Sequence, residues 1–174
     1  MHAPRPHRSS LVATLALLGL GAGCGGGGER SIGSSHARHE DGAIVLHLRT
    51  TDGRLVALED QRGSGVLIVV LATYDGVSQA AMRPLGRFAR HHQDVLVLGV
   101  LAQPDAATFA PLFEEAMSSP FAIAWDPDDD VSRGVSDLGP LEAVPSYYQV
   151  DAAGRIVDRH VGYLNEGDLE RFME

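Results

Sequence analysis

Gly65-Val-Leu-Ile-Val-Val-Leu-Ala-Thr-Tyr-Asp-Gly-Val-Ser-Gln-Ala-Ala-Met82 changes character twice. It opens as an unbroken apolar run through Ala72, rich in β-branched residues. Such a run suits a strand buried on both faces, because neither side of its pleat offers a polar group to water. Thr73-Tyr74-Asp75-Gly76 then reads as a turn. From Ser78 onward the spacing is helical: in SQAAMRPLGRFARHH (78–92), Ala81, Leu85, Phe88 and Ala89 fall on one side. Pro84 is expected to end the first turn or kink the helix, since proline has no N–H to donate.

The same alternation continues toward the C-terminus. VLVLGVLA (95–102) reads as a second buried strand. DAATFAPLFEEAM (105–117) reads as a helix, with Asp105 as its cap and Phe109, Leu112, Phe113 and Met117 as its apolar stripe. FAIAWDP (121–127) is a short strand entering a turn, with Trp125, Phe109 and Phe113 expected in the core. VSRGVSDLG (131–139) is a weak helix. PSYYQVDAAGRIVDRHVGYL (145–164) gives two strands joined at Asp151-Ala-Ala-Gly154, and GDLERFME (167–174) starts a last short helix. Toward the N-terminus, AIVLHLRTTDGRLVALED (43–60) holds two alternating runs split by Thr51-Asp52-Gly53, a hairpin signal. Strands alternating with helices and then a closing hairpin imply an α/β, three-layer sandwich on a mixed central sheet, with an N-terminal β-hairpin.

The first residues have a different purpose. MHAPRPHRSS carries Arg5 and Arg8 and no acid, and LVATLALLGLGAG follows with a length suited to a secretory signal and short for a membrane span. Small residues lead directly into Cys24. The pattern resembles a bacterial lipoprotein signal over residues 1–23, with Cys24 as the lipidated first residue of the mature chain. Leu20 stands one place further from the cysteine than that pattern prefers, where Gly21 is found. Residues 24–42 are rich in Gly and Ser and read as a flexible tether, so His36, His39, Glu40 and Asp41 are taken as solvated linker groups. The folded domain then occupies 43–174. This organisation implies an extracytoplasmic protein, lipid-anchored to a bacterial membrane on its periplasmic side or at the outer membrane.

Composition narrows the function. Across 174 residues there are 23 acidic side chains and 14 basic ones, all arginine, for a formal charge of -9. Loss of residues 1–23 removes Arg5 and Arg8 and no acid, so the mature chain is more acidic still. A chain of this balance lacks the basic surface that gives nucleic-acid binding most of its affinity. Cys24 is the only cysteine, so no disulfide forms within the chain.

Four segments in order give the domain a recognisable likeness. They are Thr51-Asp-Gly-Arg-Leu-Val-Ala-Leu-Glu-Asp60, Leu71-Ala-Thr-Tyr-Asp-Gly-Val-Ser-Gln-Ala-Ala-Met82, Trp125-Asp-Pro127, and Val144-Pro-Ser-Tyr-Tyr-Gln-Val-Asp151 followed by Gly154-Arg-Ile-Val157. Together they resemble the TlpA-like branch of the thioredoxin superfamily, which borders on the alkyl hydroperoxide reductase group. The resemblance implies thiol-disulfide or peroxidase chemistry from a Cys-x-x-Cys pair at the second segment. Here Asp75 and Ser78 take the two cysteine positions, Val77 replaces the proline between them, and Ala81 stands where many members have glutamate. Pro84 comes one place later than the family's helix proline. The resemblance also implies that Pro145 is cis and faces this turn. The backbone at Val144 would then pair with an extended substrate segment, with Ser146 and Tyr147 flanking it and Tyr74 lining the groove.

Disulfide exchange needs a thiolate, which neither a hydroxyl nor a carboxylate replaces. Asp75 is therefore read first as a helix cap. A serine nucleophile at Ser78 would need a base held by a third group, and His47, His91, His92 and His160 lie in no motif aimed at the turn. Asp126, Asp128 and Asp130 alternate as calcium ligands do, but the sixth position is Val131 rather than Gly and the twelfth Asp137 rather than Glu, so the run reads as a solvated turn. A copper site would need thiolates. The expectation is a degenerate, non-catalytic peptide- or protein-binding or scaffold module with no cofactor and no metal. Its partners would be the membrane, through Cys24, and an extended peptide or envelope protein. The alternative is the oxidoreductase or peroxidase activity that the resemblance carries.

Overall fold

A computed structural model describes residues 42–174. The signal segment, Cys24 and almost all of the tether lie outside the described residues. Within them the chain forms β1 (His47–Thr50), β2 (Leu55–Ala57), a 3-10 turn (Leu58–Gln61), β3 (Gly65–Leu71), α1 (Gly76–His91), β4 (Val95–Leu101), α2 (Ala106–Met117), β5 (Ala122–Trp125), β6 (Ser146–Val150), β7 (Ile156–Val161) and α3 (Glu166–Phe172). One seven-stranded mixed sheet has the order β2-β1-β5-β4-β3-β6-β7. The expected α/β sandwich with its N-terminal hairpin is present.

The buried run forms β3 near the middle of the sheet, parallel to β4 and antiparallel to β6. From Val66 to Leu71 every residue is buried, so both sheet faces are covered here. Successive side chains then divide between two cores. Leu67, Val69 and Leu71 join Ala81, Leu85 and Phe88 of α1, Ala110 and Phe113 of α2, and Leu169 of α3. Val66, Ile68 and Val70 join Leu46, Leu48, Leu58, Val131 and Leu138. All three α-helices thus cover one face. The third layer is built from the entry segment, the 3-10 turn and the 126–141 turns. In β4, Gly99 sits at a close approach: a Cβ there would lie 2.8 Å from Ile123 Cδ1 and 3.1 Å from Phe121 Cε2, so those side chains would have to shift.

Several local expectations are corrected. The helix α1 begins at Gly76 and runs through Pro84, which sits buried in its interior. Pro84 cannot donate to the carbonyl of Ala80, yet tertiary burial of this face keeps the helix continuous. Residues 131–139 are turns rather than a helix, with Gly134 and Gly139 at φ 68 and 81, where helix continuation is impossible. In α2 the buried residues are Ala106, Ala110 and Phe113, whereas Phe109 is 41% and Leu112 61% exposed. Small alanines let the helix lie close to the sheet, which turns the Phe109 side outward. Asp105 occupies the cap position at φ 56, and its side chain makes no capping bond. Asp126 is buried rather than solvated. Its Oδ1 accepts from the Asp128 amide at 3.0 Å and its Oδ2 from the Val131 amide at 2.9 Å.

Candidate functional site

Strand register brings three segments to one end of the sheet. Val70 pairs with Ser146, and Ser146 with Val161. Beyond these pairs lie the turn from Ala72 to Ser78, the Val144–Pro145 peptide and the Gly162–Leu164 segment. The Gly162 amide donates to the Pro145 carbonyl at 2.9 Å. The Val144–Pro145 peptide is cis.

The turn spends its polar groups on itself. Asp75 caps α1, with Oδ2 accepting from the Ser78 amide at 2.6 Å. Its backbone also bridges the turn, from the Asp75 amide to the Ala72 carbonyl at 3.2 Å and from the Gln79 amide to the Asp75 carbonyl at 3.1 Å. Ser78 is fully buried, and its Oγ accepts from the Ala72 amide at 3.3 Å. Gln79 Nε2 donates to the Thr73 carbonyl at 2.7 Å. Gln103 is 4% exposed and receives the Thr73 amide on Oε1 at 2.6 Å. A hydroxyl so enclosed cannot reach a substrate, and a carboxylate at a helix N-terminus is stabilised by the same dipole that would activate a thiolate.

None of the histidines completes a catalytic arrangement with Ser78 among the described residues. His47 pairs with Glu59 at 2.6 Å, and His91 lies 3.3 Å from Glu166. His92 stacks on Phe88 with centroids 4.3 Å apart. His160 packs against Tyr147, 6.0 Å between centroids. Tyr147 is completely buried, and burial pushes its phenol up to about 12, so it is neutral at physiological pH. It acts as core here rather than as an acid.

What the site does offer is apolar surface and bare backbone. Tyr74 is 73% exposed; Val77, Val161 and Tyr163 are also exposed. Val144 is half-buried, and its backbone N–H and C=O make no hydrogen bond with another described residue. Pro145 is buried beside it. Ser146 is turned inward, its hydroxyl donating to the Ala143 carbonyl at 2.6 Å, so it presents no polar group at the surface. The structure thus gathers Tyr74, Asp75, Ser78, Val144, Pro145 and Ser146 at one end.

Sequence reasoning missed Gln103 and the pair Val161 and Tyr163. A glutamine directly after an apolar strand was a weak signal for the first. Two large apolar residues around Gly162, after the polar residues of β7, were a signal for the second.

No protein-family model matches the chain, and no curated protein does. Solved structures do. MTB DsbF in its mixed oxidized and reduced forms is 22% identical with a TM-score of 0.64, covering 74% of this chain and 92% of that one. The pneumococcal exposed lipoprotein thioredoxin from Streptococcus pneumoniae is 18% identical with a TM-score of 0.64, covering 74% and 97%. A putative thiol:disulfide interchange protein DsbE from Chlorobium tepidum is 23% identical with a TM-score of 0.61, covering 76% and 94%. At these identities the likeness is one of fold: the chain has the thioredoxin-like architecture.

Proposed function

We propose that this chain is a lipid-anchored, extracytoplasmic thioredoxin-fold module that binds an extended peptide segment at the Val144 edge and performs no thiol chemistry. The observation that carries this reading is the backbone of Val144, unpaired among the described residues, beside an exposed apolar rim. Val144 lies just before β6, which β3 and β7 flank, so its N–H and C=O stand beyond the paired strands where an added extended segment can pair with them, with side-chain pockets supplying selectivity. Tyr74, Val77, Val161 and Tyr163 supply the apolar contacts. Asp75 and Ser78 hold the turn in shape and take no chemical part. The anchor through Cys24 and the tether that follows it place the module at a membrane surface. The fold likeness to thiol-disulfide proteins favours an oxidoreductase, but residues 42–174 contain no thiol, and exchange at sulfur requires one.

The test is a restored pair. The mature wild-type chain neither reduces insulin nor consumes peroxide. Asp75→Cys combined with Ser78→Cys is oxidised to an internal disulfide and, with dithiothreitol as electron donor, cycles through its dithiol form to catalyse insulin reduction, because the neighbouring groove still seats an extended polypeptide. Turnover by the wild-type chain would sink the proposal. So would a double variant that forms its disulfide yet never accelerates the reduction of insulin by dithiothreitol.

A further inference from the structure

A second groove lies between α1 and α2; Gln79, whose side chain bonds the Thr73 carbonyl in the first site's turn, stands at one end of it. Arg83, Gly86 and Arg90 follow one another at helical spacing along α1, so they share a face. They border a groove of about 290 Å³ whose apolar walls include Met82, Met117 and Pro120. Gly86 leaves bare backbone in this face: a Cβ there would stand 3.2 Å from Pro120 Cδ and 3.6 Å from Arg90 Nη1. The last distance shows that the Arg90 guanidinium folds back across Gly86 toward the groove.

Two unpaired arginines meet in this groove, whereas Arg49 and Arg159, which also pair with no carboxylate among the described residues, lie elsewhere. Arg54, Arg87, Arg133, Arg155 and Arg171 each pair with a carboxylate. On the same helix, Arg87 meets Glu166 at 2.7 Å. Arg83 and Arg90 make no ion pair or hydrogen bond with any described residue. No Asp or Glu lines the groove. In a chain of charge -9, a concavity with two uncommitted guanidiniums and no acid is a local reversal of sign.

We infer that this groove binds an amphiphilic anion: one phosphate or carboxylate head held by Arg83 and Arg90, with a short apolar body against Met82, Met117 and Pro120. Guanidinium groups suit such heads because their fork of N–H donors matches two oxygens at once. The apolar walls favour an anion that carries hydrocarbon over a bare ion. The head can belong to a soluble molecule or to an anionic phospholipid, and the chemistry of recognition is shared.

Calorimetric titration with hexyl phosphate and with inorganic phosphate tests the soluble source. Co-sedimentation with phosphatidylglycerol vesicles, against phosphatidylcholine vesicles, tests the lipid source. Prepared without the lipid on Cys24, the chain binds hexyl phosphate more tightly than inorganic phosphate, or sediments with the anionic vesicles alone. Arg83→Gln with Arg90→Gln weakens that binding by roughly tenfold or more, as expected when charge-assisted bonds are lost. Both arginines are exposed, so the double variant melts as the wild type does. Equal binding by wild type and variant overturns the inference, as does an absence of binding to every probe. Neither result touches the Val144 reading, which the insulin assay tests separately.

Discussion

The two faces of the central sheet are covered by different means. On one face, three α-helices bury Leu85, Phe88, Phe113 and Leu169 against β3, β4 and β6. On the other, a single 3-10 turn and irregular chain bury Leu46, Leu58, Val131 and Leu138. A helix satisfies its own backbone between its ends, so its contribution is largely apolar. A turn cannot, and buried N–H groups there need other acceptors. Two buried carboxylates meet that need. Asp126 receives the amides of Asp128 and Val131, and Asp137 receives the amide of Val45 at 2.8 Å. The difference shows that one fold can replace a covering helix with turns, provided acidic side chains take over the backbone's hydrogen bonding.

Four substitutions would break or sharpen this contrast. On the helical face, Phe88→Ala removes a fully buried ring and costs about 3–5 kcal/mol in denaturant unfolding. On the turn face, Asp126→Ala strands two amides and costs about 2–4 kcal/mol, approaching the loss of a core aromatic. A cost near zero would mean that the carboxylate is dispensable there. Asp126→Asn, which keeps one acceptor oxygen, falls between the variant and the wild type. Asp75→Ala removes only a cap from α1 and lowers stability by about 1 kcal/mol, a smaller effect because the helix behind it is held by packing. A thermal melt resolves these steps.

The smallest effect concerns Asp151, which closes the β6–β7 turn in solvent. Its Oδ1 accepts from the amides of Ala153 and Arg155, both at 2.9 Å, and its Oδ2 from the Arg155 guanidinium at 2.7 Å. Backbone and side-chain bonds from Arg155 hold this carboxyl below the ordinary carboxylate range. The sign follows directly. The bound, ionised form is favoured in the folded state, so the contribution is complete above about pH 4, the usual range for an unfolded aspartate, and is lost as pH falls below it. Asp151→Asn therefore narrows the gap to wild type on acidification in a pH series of melts. A gap that widened below pH 4 would contradict the assignment.

Much of this architecture was legible because periodicity is local. The apolar run of β3, the stripe of Ala81, Leu85 and Phe88, and the hairpin around Asp52-Gly53 all declare themselves within a few residues. The α2 face did not. Its sequence carries two overlapping apolar stripes, one through Phe109 and Leu112 and one through Ala106, Ala110 and Phe113, and only close packing on the sheet selects the second. The 131–139 segment misled for another reason: its spacing is helical, but Gly134 and Gly139 take left-handed backbone. At the candidate site, the substitutions at Asp75 and Ser78 were visible in the chain. Gln103 was not, since its bond to Thr73 spans 30 residues and depends on β3 lying beside β4.

The closed set of hydrogen bonds from Ala72 to Gln79 also limits how this molecule can respond. A turn bearing two thiols has two covalent states, and surroundings that oxidise or reduce select between them. This turn has one. Under the peptide-binding reading proposed above, a ligand at Val144 would meet the same surface in oxidising and reducing conditions, and its occupancy would follow concentration alone. Binding of that kind would consume nothing and need no electron donor to reset it. A module of that kind would read how much of its partner is present and keep no record of earlier encounters.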